Sequence, residues 1–229
     1  MKQLRDFSDE RQRGSCVYCG TRTATRDHVP PKVFLDKPYP ENLPVVAACR
    51  RCNLSSSLHE EYVACLIECV VTGEAAPEMV GRDKIRLILK NKPSLCAALR
   101  QAKKRGLDGN TYFSADNRRV ADVLLKLARG HVAYELGIPH PEMPCQIHWA
   151  PIQLLSCWNK MESELDSRPH LLPEIGSRNF QRSVLGYASD DRGWVTVQPG
   201  RYRYAVFQNE HDTVRLIINE YLECQVAWE

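Results

Sequence analysis

The sequence lacks several features that mark common classes of protein. No stretch approaches the roughly 18 consecutive apolar residues that a membrane-spanning helix needs, and residues 1–10 are charged and contain no apolar signal core. We therefore expect a cytoplasmic protein that makes no membrane contact. The sequence also has no Gly-rich phosphate loop and no serine in a nucleophile-elbow context, which argues against an ATPase and a serine hydrolase. It shows no internal repeat and no low-complexity tract.

The composition is that of an ordinary folded protein. Of the 229 residues, 43% are hydrophobic and 26% are charged, which is enough apolar material for a packed core. This length predicts either one large domain or a small module joined to a larger one. The formal net charge of +3 does not by itself indicate nucleic-acid binding.

Hydrophobic spacing and turn residues predict helices in the first two thirds of the chain and strands in the last third. The predicted helices cover a lead-in at 1–14, then about 49–73, 78–91, 94–105, 116–136 and 151–165. The predicted strands are one at 43–48 and an antiparallel meander of three or four strands that includes 194–197, 202–207 and 214–218. We expect two units, a cysteine-rich module at 1–75 and a helical region followed by strands at 76–229.

Ten cysteines are many for a cytoplasmic chain. Four of them form two Cys-x-x-Cys pairs, Cys16 with Cys19 and Cys49 with Cys52, and this spacing predicts a closed, structural zinc site. A disulfide framework is the weaker alternative, because reducing compartments keep thiols free. The other six are expected to be small buried side chains, namely Cys65, Cys69, Cys96, Cys145, Cys157 and Cys224.

Polar residues with catalytic chemistry lie between and just after the two cysteine pairs. Asp27 and His28 are adjacent, Asn42 precedes Leu43, and Asn53 follows Cys52 directly. Together with the four cysteines, these residues resemble the HNH endonuclease family, over about residues 14–62. The resemblance implies a ββα-metal site, in which two short strands and a helix hold one catalytic divalent ion. The fold class that we predict is therefore α+β, with an N-terminal ββα-metal and zinc-knuckle module, a helical middle and a C-terminal antiparallel meander.

The residue types are suited to phosphodiester hydrolysis. His28 can take a proton from water, because imidazole titrates near neutral pH. Asp27 offers the hard oxygen ligand that Mg²⁺ or Mn²⁺ prefers. By the resemblance, Asn42 orients His28 and Asn53 gives a second metal ligand. Each residue also has a structural reading, as a turn residue, a packed histidine or a helix cap.

The third ligand of the divalent ion stays open at this stage. His59 and Glu60 follow Asn53 on the same predicted helix. On a regular helix Glu60 shares the Asn53 face and His59 does not. Solvated helix residues are the favoured reading of both side chains, and a metal-ligand role is the alternative.

Basic residues are concentrated between Arg82 and Arg105, where Asp83 is the single acid. Such a segment attracts phosphate groups, although a solvated helix face explains it equally well. The residues that we predict to contact nucleic acid are Arg82, Lys84, Arg86, Lys90, Lys103, Lys104 and Arg105.

The function predicted from these observations is a metal-dependent HNH endonuclease, acting by family resemblance on DNA rather than RNA. By analogy, such a protein could belong to a defence or mobile-element system. Two alternatives stay open. The module could be a non-catalytic zinc unit that binds nucleic acid or protein, or the chain could be a nuclease subunit that is active only with a protein partner.

Overall fold

A five-stranded antiparallel sheet and a long helix packed against it form the centre of the fold. The computed structural model describes residues 4, 5, 7, 14–157, 175–185, 190, 193–208 and 210–229. The helices are α1 (Arg50–Ser55), α2 (Ser57–Thr72), α3 (Asp83–Asn91), α4 (Pro93–Ala102), α5 (Asn117–Leu136) and α6 (Arg178–Leu185). The strands are β1 (Thr25–His28), β2 (Val45–Ala48), β3 (Lys103–Arg105), β4 (Thr111–Phe113), β5 (Gln146–Pro151), β6 (Val195–Gln198), β7 (Tyr202–Gln208), β8 (Asp212–Ile218) and β9 (Leu222–Trp228). This arrangement confirms the α+β class.

The C-terminal sheet has the strand order β5-β9-β8-β7-β6, so β6 to β9 form a four-stranded meander and β5 adds an edge. The strands alternate as a half-buried sheet should. On β7, Tyr202 and Tyr204 face the main core, whereas Ala205 packs in a second cluster on the opposite face with Trp194 and Ile217. The main core is one cluster with residues from both sides of position 75. The division of the chain into two units at that position stays a prediction.

Helix boundaries follow from local chemistry. The Asp116 side chain accepts a hydrogen bond from the Arg119 backbone N–H at 3.2 Å and so caps α5 at its N-terminus. Gly137, at φ 77°, and Gly73, at φ 70°, end α5 and α2 in the left-handed conformation that glycine adopts without strain. These three boundaries were expected from the sequence.

The basic stretch at 103–105 was predicted as the end of a helix, and this prediction is wrong. Helix α4 ends at Ala102, and Lys103–Arg105 forms β3, which pairs with β4. The Asp108-Gly109 pair, with Gly109 at φ 79°, supplies the tight turn that joins the two strands. This local hairpin signal outweighs the helix propensity of the preceding residues.

The segment around Pro151 also differs from the prediction of a helix at 151–165. Gln146–Pro151 is strand β5, paired with β9, and Ile152–Cys157 is a short 3-10 helix. The sheet edge offered by β9 decides the conformation, which the sequence pattern does not show. Residues 158–165 lie outside the described residues, as does most of the helical lead-in predicted at 1–14.

Of the six cysteines predicted to be buried, four are buried, namely Cys65, Cys69, Cys96 and Cys224. Cys145 is exposed, and its thiol donates to the Ala227 carbonyl at 3.2 Å, so that prediction is wrong. Cys145 directly precedes the edge strand β5, where its side chain lies at the surface. The Cys157 side chain lies outside what the structure describes.

An ion cluster attaches the loop after α5 to the sheet where β8 begins and β9 ends. His140 Nε2 lies 2.8 Å from Asp212 Oδ2, its Nδ1 contacts Glu142, and its ring stacks on Trp228. Burial acts to lower the pKa of His140, but the hydrogen bonds and charges of the two carboxylates raise it above its ordinary value. The folded protein therefore binds this proton more tightly than the unfolded chain does.

The His140 cluster predicts a pH-dependent contribution to stability. Because the folded-state pKa is raised, the contribution is complete below the ordinary histidine pKa and is lost as the pH rises through the raised value. We expect His140→Gln to lower the free energy of unfolding by about 1–3 kcal/mol at pH ~5.5, with a smaller effect at pH ~9. Urea denaturation at both pH values measures this. The exposed His211→Gln serves as the control, and an equal effect of His140→Gln at both pH values contradicts the assignment.

Candidate metal centre and active site

Four cysteine sulfurs converge beside the first hairpin. Cys16 and Cys19 lie on the turn before β1, Cys49 directly follows β2 and caps α1, and Cys52 is in α1. Their Sγ atoms all lie within 4.8 Å of one another, and those of Cys19 and Cys49 are 3.8 Å apart. Tetrahedral zinc with Zn–S bonds of about 2.3 Å requires sulfurs about 3.8 Å apart. The cluster can therefore bind a metal ion.

The local backbone explains how the cysteines meet. The N–H groups of Cys19 and Gly20 donate to the Cys16 carbonyl at 3.3 and 2.8 Å, and Gly20 has φ 72°. A glycine at this position permits the tight turn that returns the chain to the cluster. On the other side, the Cys52 N–H donates to Cys49 Sγ at 3.4 Å. Local hydrogen bonds therefore shape the backbone of both pairs without the help of a metal ion.

The thiols differ in how readily they ionise. The Cys52 N–H at the start of α1 lowers the pKa of Cys49 to about 6. A hydrogen bond with Thr21 lowers the pKa of Cys19, whereas burial raises the pKa of Cys16 and of Cys52. The protein alone therefore favours the thiolate of Cys49 and makes Cys19 easier to ionise, and a bound cation would favour ionisation of Cys16 and Cys52.

The hairpin of β1 and β2 has an inner and an outer face. Asp27 pairs with Val46 in the antiparallel register, and both side chains are buried. Arg26 and His28 point to the opposite face, where Arg26 is exposed and His28 is partly exposed. Adjacent residues therefore separate as strand geometry requires, with Asp27 facing the helices and His28 facing outward.

Asp27 belongs to a buried ion network. Its Oδ2 lies 2.7 Å from Lys126 Nζ and accepts a hydrogen bond from the Tyr18 hydroxyl at 3.0 Å. Lys126 Nζ, on α5, also lies 2.5 Å from Glu60 Oε1 on α2. The exposed fractions of Asp27, Glu60 and Lys126 are 7%, 8% and 8%. One ammonium thus lies between two carboxylates that come from a strand and a helix.

The network keeps its charges through mutual attraction. Burial acts to lower the pKa of Lys126, but the charges of Glu60 and Asp27 raise it above its ordinary value. Burial raises the pKa of Glu60, and Lys126 opposes that shift. Burial also raises the pKa of Tyr18, and the charge of Asp27 raises it further. Tyr18 therefore stays protonated and donates its hydrogen bond. Lys126 is therefore a cation at neutral pH.

The surroundings of His28 favour its neutral form. Burial lowers its pKa, and the charge of Lys32 lowers it further. The imidazole is therefore neutral near pH 7 and can accept a proton. Asn42 lies in the loop that leads into β2, and its predicted role of orienting His28 stays a prediction.

The structure does not bring the three predicted ligands of the divalent ion together. Asp27 binds Lys126, the Asn53 amide donates to Thr25 Oγ1 and to the Arg26 carbonyl at 3.2 Å each, and His59 Nδ1 lies 3.3 Å from Asp122. Among the alternatives for the third ligand, Glu60 alone approaches Asp27, through the shared Lys126. In the described part of the chain, the four cysteines are the one group of His, Cys, Asp or Glu residues arranged to hold a metal ion.

Two residues of this region were missed in the sequence. Tyr18 lies inside the first Cys-x-x-Cys pair, and Lys126 lies between apolar neighbours on α5. A lysine three residues after Val123, on the buried side of a helix, was a usable signal, since a buried lysine requires an acidic partner. The identity of that partner depends on long-range packing.

The basic segment from Arg82 to Arg105 does not form one open cationic surface. Arg82 is buried, with Nε 2.8 Å from Asp36 Oδ1, Arg86 pairs with Asp83 at 2.8 Å, and Lys103 pairs with Glu74 at 2.7 Å. Lys84 donates to the Lys32 carbonyl at 2.6 Å. Three of the predicted residues are exposed, namely Lys90, Lys104 and Arg105. The Arg82 side chain therefore stabilises the fold through Asp36 and is not exposed for contact with phosphate.

Comparisons with protein-family models, with curated proteins and with solved structures found no match to this chain. Among the helices in the described ranges, none combines the length and hydropathy needed to cross a membrane.

Proposed function

We propose that this chain hydrolyses phosphodiester bonds in nucleic acid, with His28 as the general base on a zinc-stabilised hairpin. The proposal rests on one observation: the β1–β2–α1 unit, closed by four cysteines, presents a neutral imidazole on its outer face. The HNH resemblance implies a unit of two strands and a helix that carries such a histidine. By the same resemblance, DNA is the proposed substrate.

Zinc is the metal that we propose for the four-cysteine cluster, because four thiolates at tetrahedral separation suit it. Its role is structural, since all four sulfurs are needed for the site and no coordination position is left for substrate. The bound metal would hold the turn before β1 against the start of α1. It would thereby fix the strand that carries His28.

The Mg²⁺ or Mn²⁺ ion that the resemblance implies does not fit the residues as they are arranged. The Lys126 ammonium takes the cation position between Asp27 and Glu60, and Asn53 and His59 have other partners. The proposed hydrolysis therefore does not use this ion. Within the described arrangement, His28 takes a proton from the attacking water, and the phosphodiester charge must be met by other cations.

A nicking assay tests the role of His28. We expect the wild-type protein to nick supercoiled plasmid, and His28→Ala to reduce the rate by about 100-fold or more, as loss of a general base does. The assay is run with Mg²⁺, with Mn²⁺ and without added divalent ion, on DNA and on RNA. Zinc content is measured in both proteins, so that loss of the base is separated from loss of the metal site.

The control for this assay is His148→Ala, at an exposed position on β5. Equal nicking by the wild type and His28→Ala would show that His28 is not the base. If the wild-type protein cleaves no substrate under any metal condition, the catalytic proposal is rejected.

A second candidate function is a non-catalytic zinc module that binds nucleic acid or protein. The observation that favours it is the burial of Asp27, whose carboxylate is bound by Lys126 and Tyr18 and does not face an approaching phosphate. This candidate predicts that the protein binds its partner without cleavage. Binding and nicking measured on one DNA sample distinguish the two functions.

A further inference from the structure

The outer face of the first hairpin is open and cationic. Arg26 and His28 lie two residues apart on the same face of β1, opposite Ala47 and Val45 of β2. Both partner side chains are themselves partly exposed, so this face of the hairpin is accessible to solvent. Arg26 is exposed, and no acidic partner for its guanidinium occurs among the described residues. The face therefore presents a cation immediately beside the imidazole.

Lys32 adds a second cation close enough to His28 for its charge to act on the imidazole. It begins the short 3-10 helix Lys32–Phe34, four residues after His28, and its side chain is exposed. Its charge lowers the pKa of His28, which is consistent with a short separation. In the part of the chain that the structure describes, Lys32 Nζ has no carboxylate partner and lies 5.5 Å from the centre of the Tyr39 ring.

Lys84 and Tyr39 position Lys32. Lys84 Nζ donates to the Lys32 carbonyl at 2.6 Å and to the Tyr39 hydroxyl, and it lies 4.6 Å from the centre of the Tyr39 ring. These contacts fix the turn of Lys32 against α3. Lys84 uses its donors on the protein, so its contribution is to hold the turn and to add positive charge.

The acids near this face are mostly neutralised. Between residues 20 and 53 the acids are Asp27, Asp36 and Glu41. Asp27 faces inward and binds Lys126, and Asp36 pairs with Arg82 at 2.8 Å and with Arg201 at 2.5 Å. Glu41 remains, in the loop before β2. The same stretch contains six basic residues, which are Arg22, Arg26, Lys32, Lys37, Arg50 and Arg51. Within residues 20–53 the positive charge therefore exceeds the negative charge.

We propose that Arg26 and Lys32 bind the phosphodiester backbone of DNA beside His28, with Lys84 and Tyr39 as positioning residues. This inference deepens the proposed function, because it names the groups that hold the substrate at the base. The proposed nucleic-acid contact therefore lies on the first hairpin and not on the segment 82–105. Cations that contact phosphate increase affinity without reading sequence, so the surface binds duplexes of any sequence.

A binding assay tests this assignment without requiring cleavage. The zinc-loaded full chain is titrated against a labelled duplex of mixed sequence, without added divalent ion, and binding is followed by fluorescence anisotropy. We expect Arg26→Gln with Lys32→Gln to weaken binding by about tenfold or more near 100 mM salt, and to reduce the salt slope of log K by about 2. Both side chains are exposed, so the double variant should fold, and zinc content and circular dichroism verify this.

Two further double variants serve as comparisons. Arg5→Gln with Arg118→Gln removes the same charge at exposed positions outside both basic regions, and should change affinity less than twofold. Lys90→Gln with Lys104→Gln tests the segment 82–105 directly. The proposal is overturned if either comparison pair weakens binding as much as the Arg26 and Lys32 pair does, or if the wild-type protein binds no duplex. Parallel titrations with single-stranded DNA and duplex RNA show which backbone is preferred.

The outcome for binding is separate from the outcome for cleavage. If the Arg26 and Lys32 pair loses affinity but the wild type nicks nothing, the surface assignment stands and the catalytic proposal fails. If His28→Ala abolishes nicking while the Arg26 and Lys32 pair retains full affinity, the catalytic proposal stands and the surface assignment fails.

Discussion

Replacement of Cys49 by serine is expected to abolish stoichiometric zinc binding and to unfold the first hairpin. Cys49 joins the end of β2 to the start of α1, so its sulfur connects the two elements that meet at the cluster. Binding of structural zinc contributes about 10–16 kcal/mol in small zinc modules, and that energy is available only to the folded state. We expect about one zinc per chain in the wild type and less than about half of that in Cys49→Ser.

Two measurements test this expectation together. Zinc is quantified by elemental analysis of protein prepared without chelator, and thermal unfolding is followed with and without excess chelator. Cys145→Ser is the matched control, because Cys145 is exposed and is not one of the four converging sulfurs, and it should retain zinc and thermal stability. Wild-type zinc content and an unchanged melting temperature in Cys49→Ser would show that the four sulfurs do not hold a structural ion.

The metal centre could be predicted from the sequence because it depends on local features. Each Cys-x-x-Cys pair forms by hydrogen bonds within a few residues, and the pairs meet through one two-stranded hairpin. The alternation of Asp27 and His28 follows from strand geometry alone. For the same reason the caps of α5 and the C-terminal meander were predicted, since capping residues and turn residues act on their own neighbours.

The surroundings of Asp27 could not be predicted, because they depend on residues far apart in sequence. Lys126 reaches Asp27 from α5 and Glu60 from α2, and neither contact leaves a pattern at Asp27 itself. Arg82 was misassigned for the same reason: its partner Asp36 lies in a distant loop. A charged residue is predicted from sequence to be exposed unless an oppositely charged partner can be identified. That partner is brought close by long-range packing, which the sequence does not show.

Lys126→Met is expected to destabilise the protein by about 3–5 kcal/mol, because it leaves the buried Asp27 and Glu60 carboxylates without their shared cation. Methionine fills a volume close to that of the lysine stem, so little of the loss arises from packing. Burial raises the pKa of Glu60 and Lys126 opposes that shift, so without the ammonium the pKa of Glu60 should rise further in the folded protein. An acid whose folded pKa is raised is stabilised by protonation, so the deficit should shrink as the pH falls toward about 5.

Urea denaturation of zinc-loaded protein at pH ~5 and ~7.5 measures both the deficit and its pH dependence. Lys90→Met makes the same substitution at an exposed helical position and should change stability by no more than about 0.5 kcal/mol. Adding Glu60→Gln to Lys126→Met removes one of the two uncompensated charges, so the double variant should be more stable than the sum of the single effects, with a coupling of about 0.5–3 kcal/mol. A Lys126→Met variant as stable as Lys90→Met, or effects that simply add, would mean that Lys126 does not neutralise this carboxylate pair. Asp27 would then be available to bind Mg²⁺ or Mn²⁺.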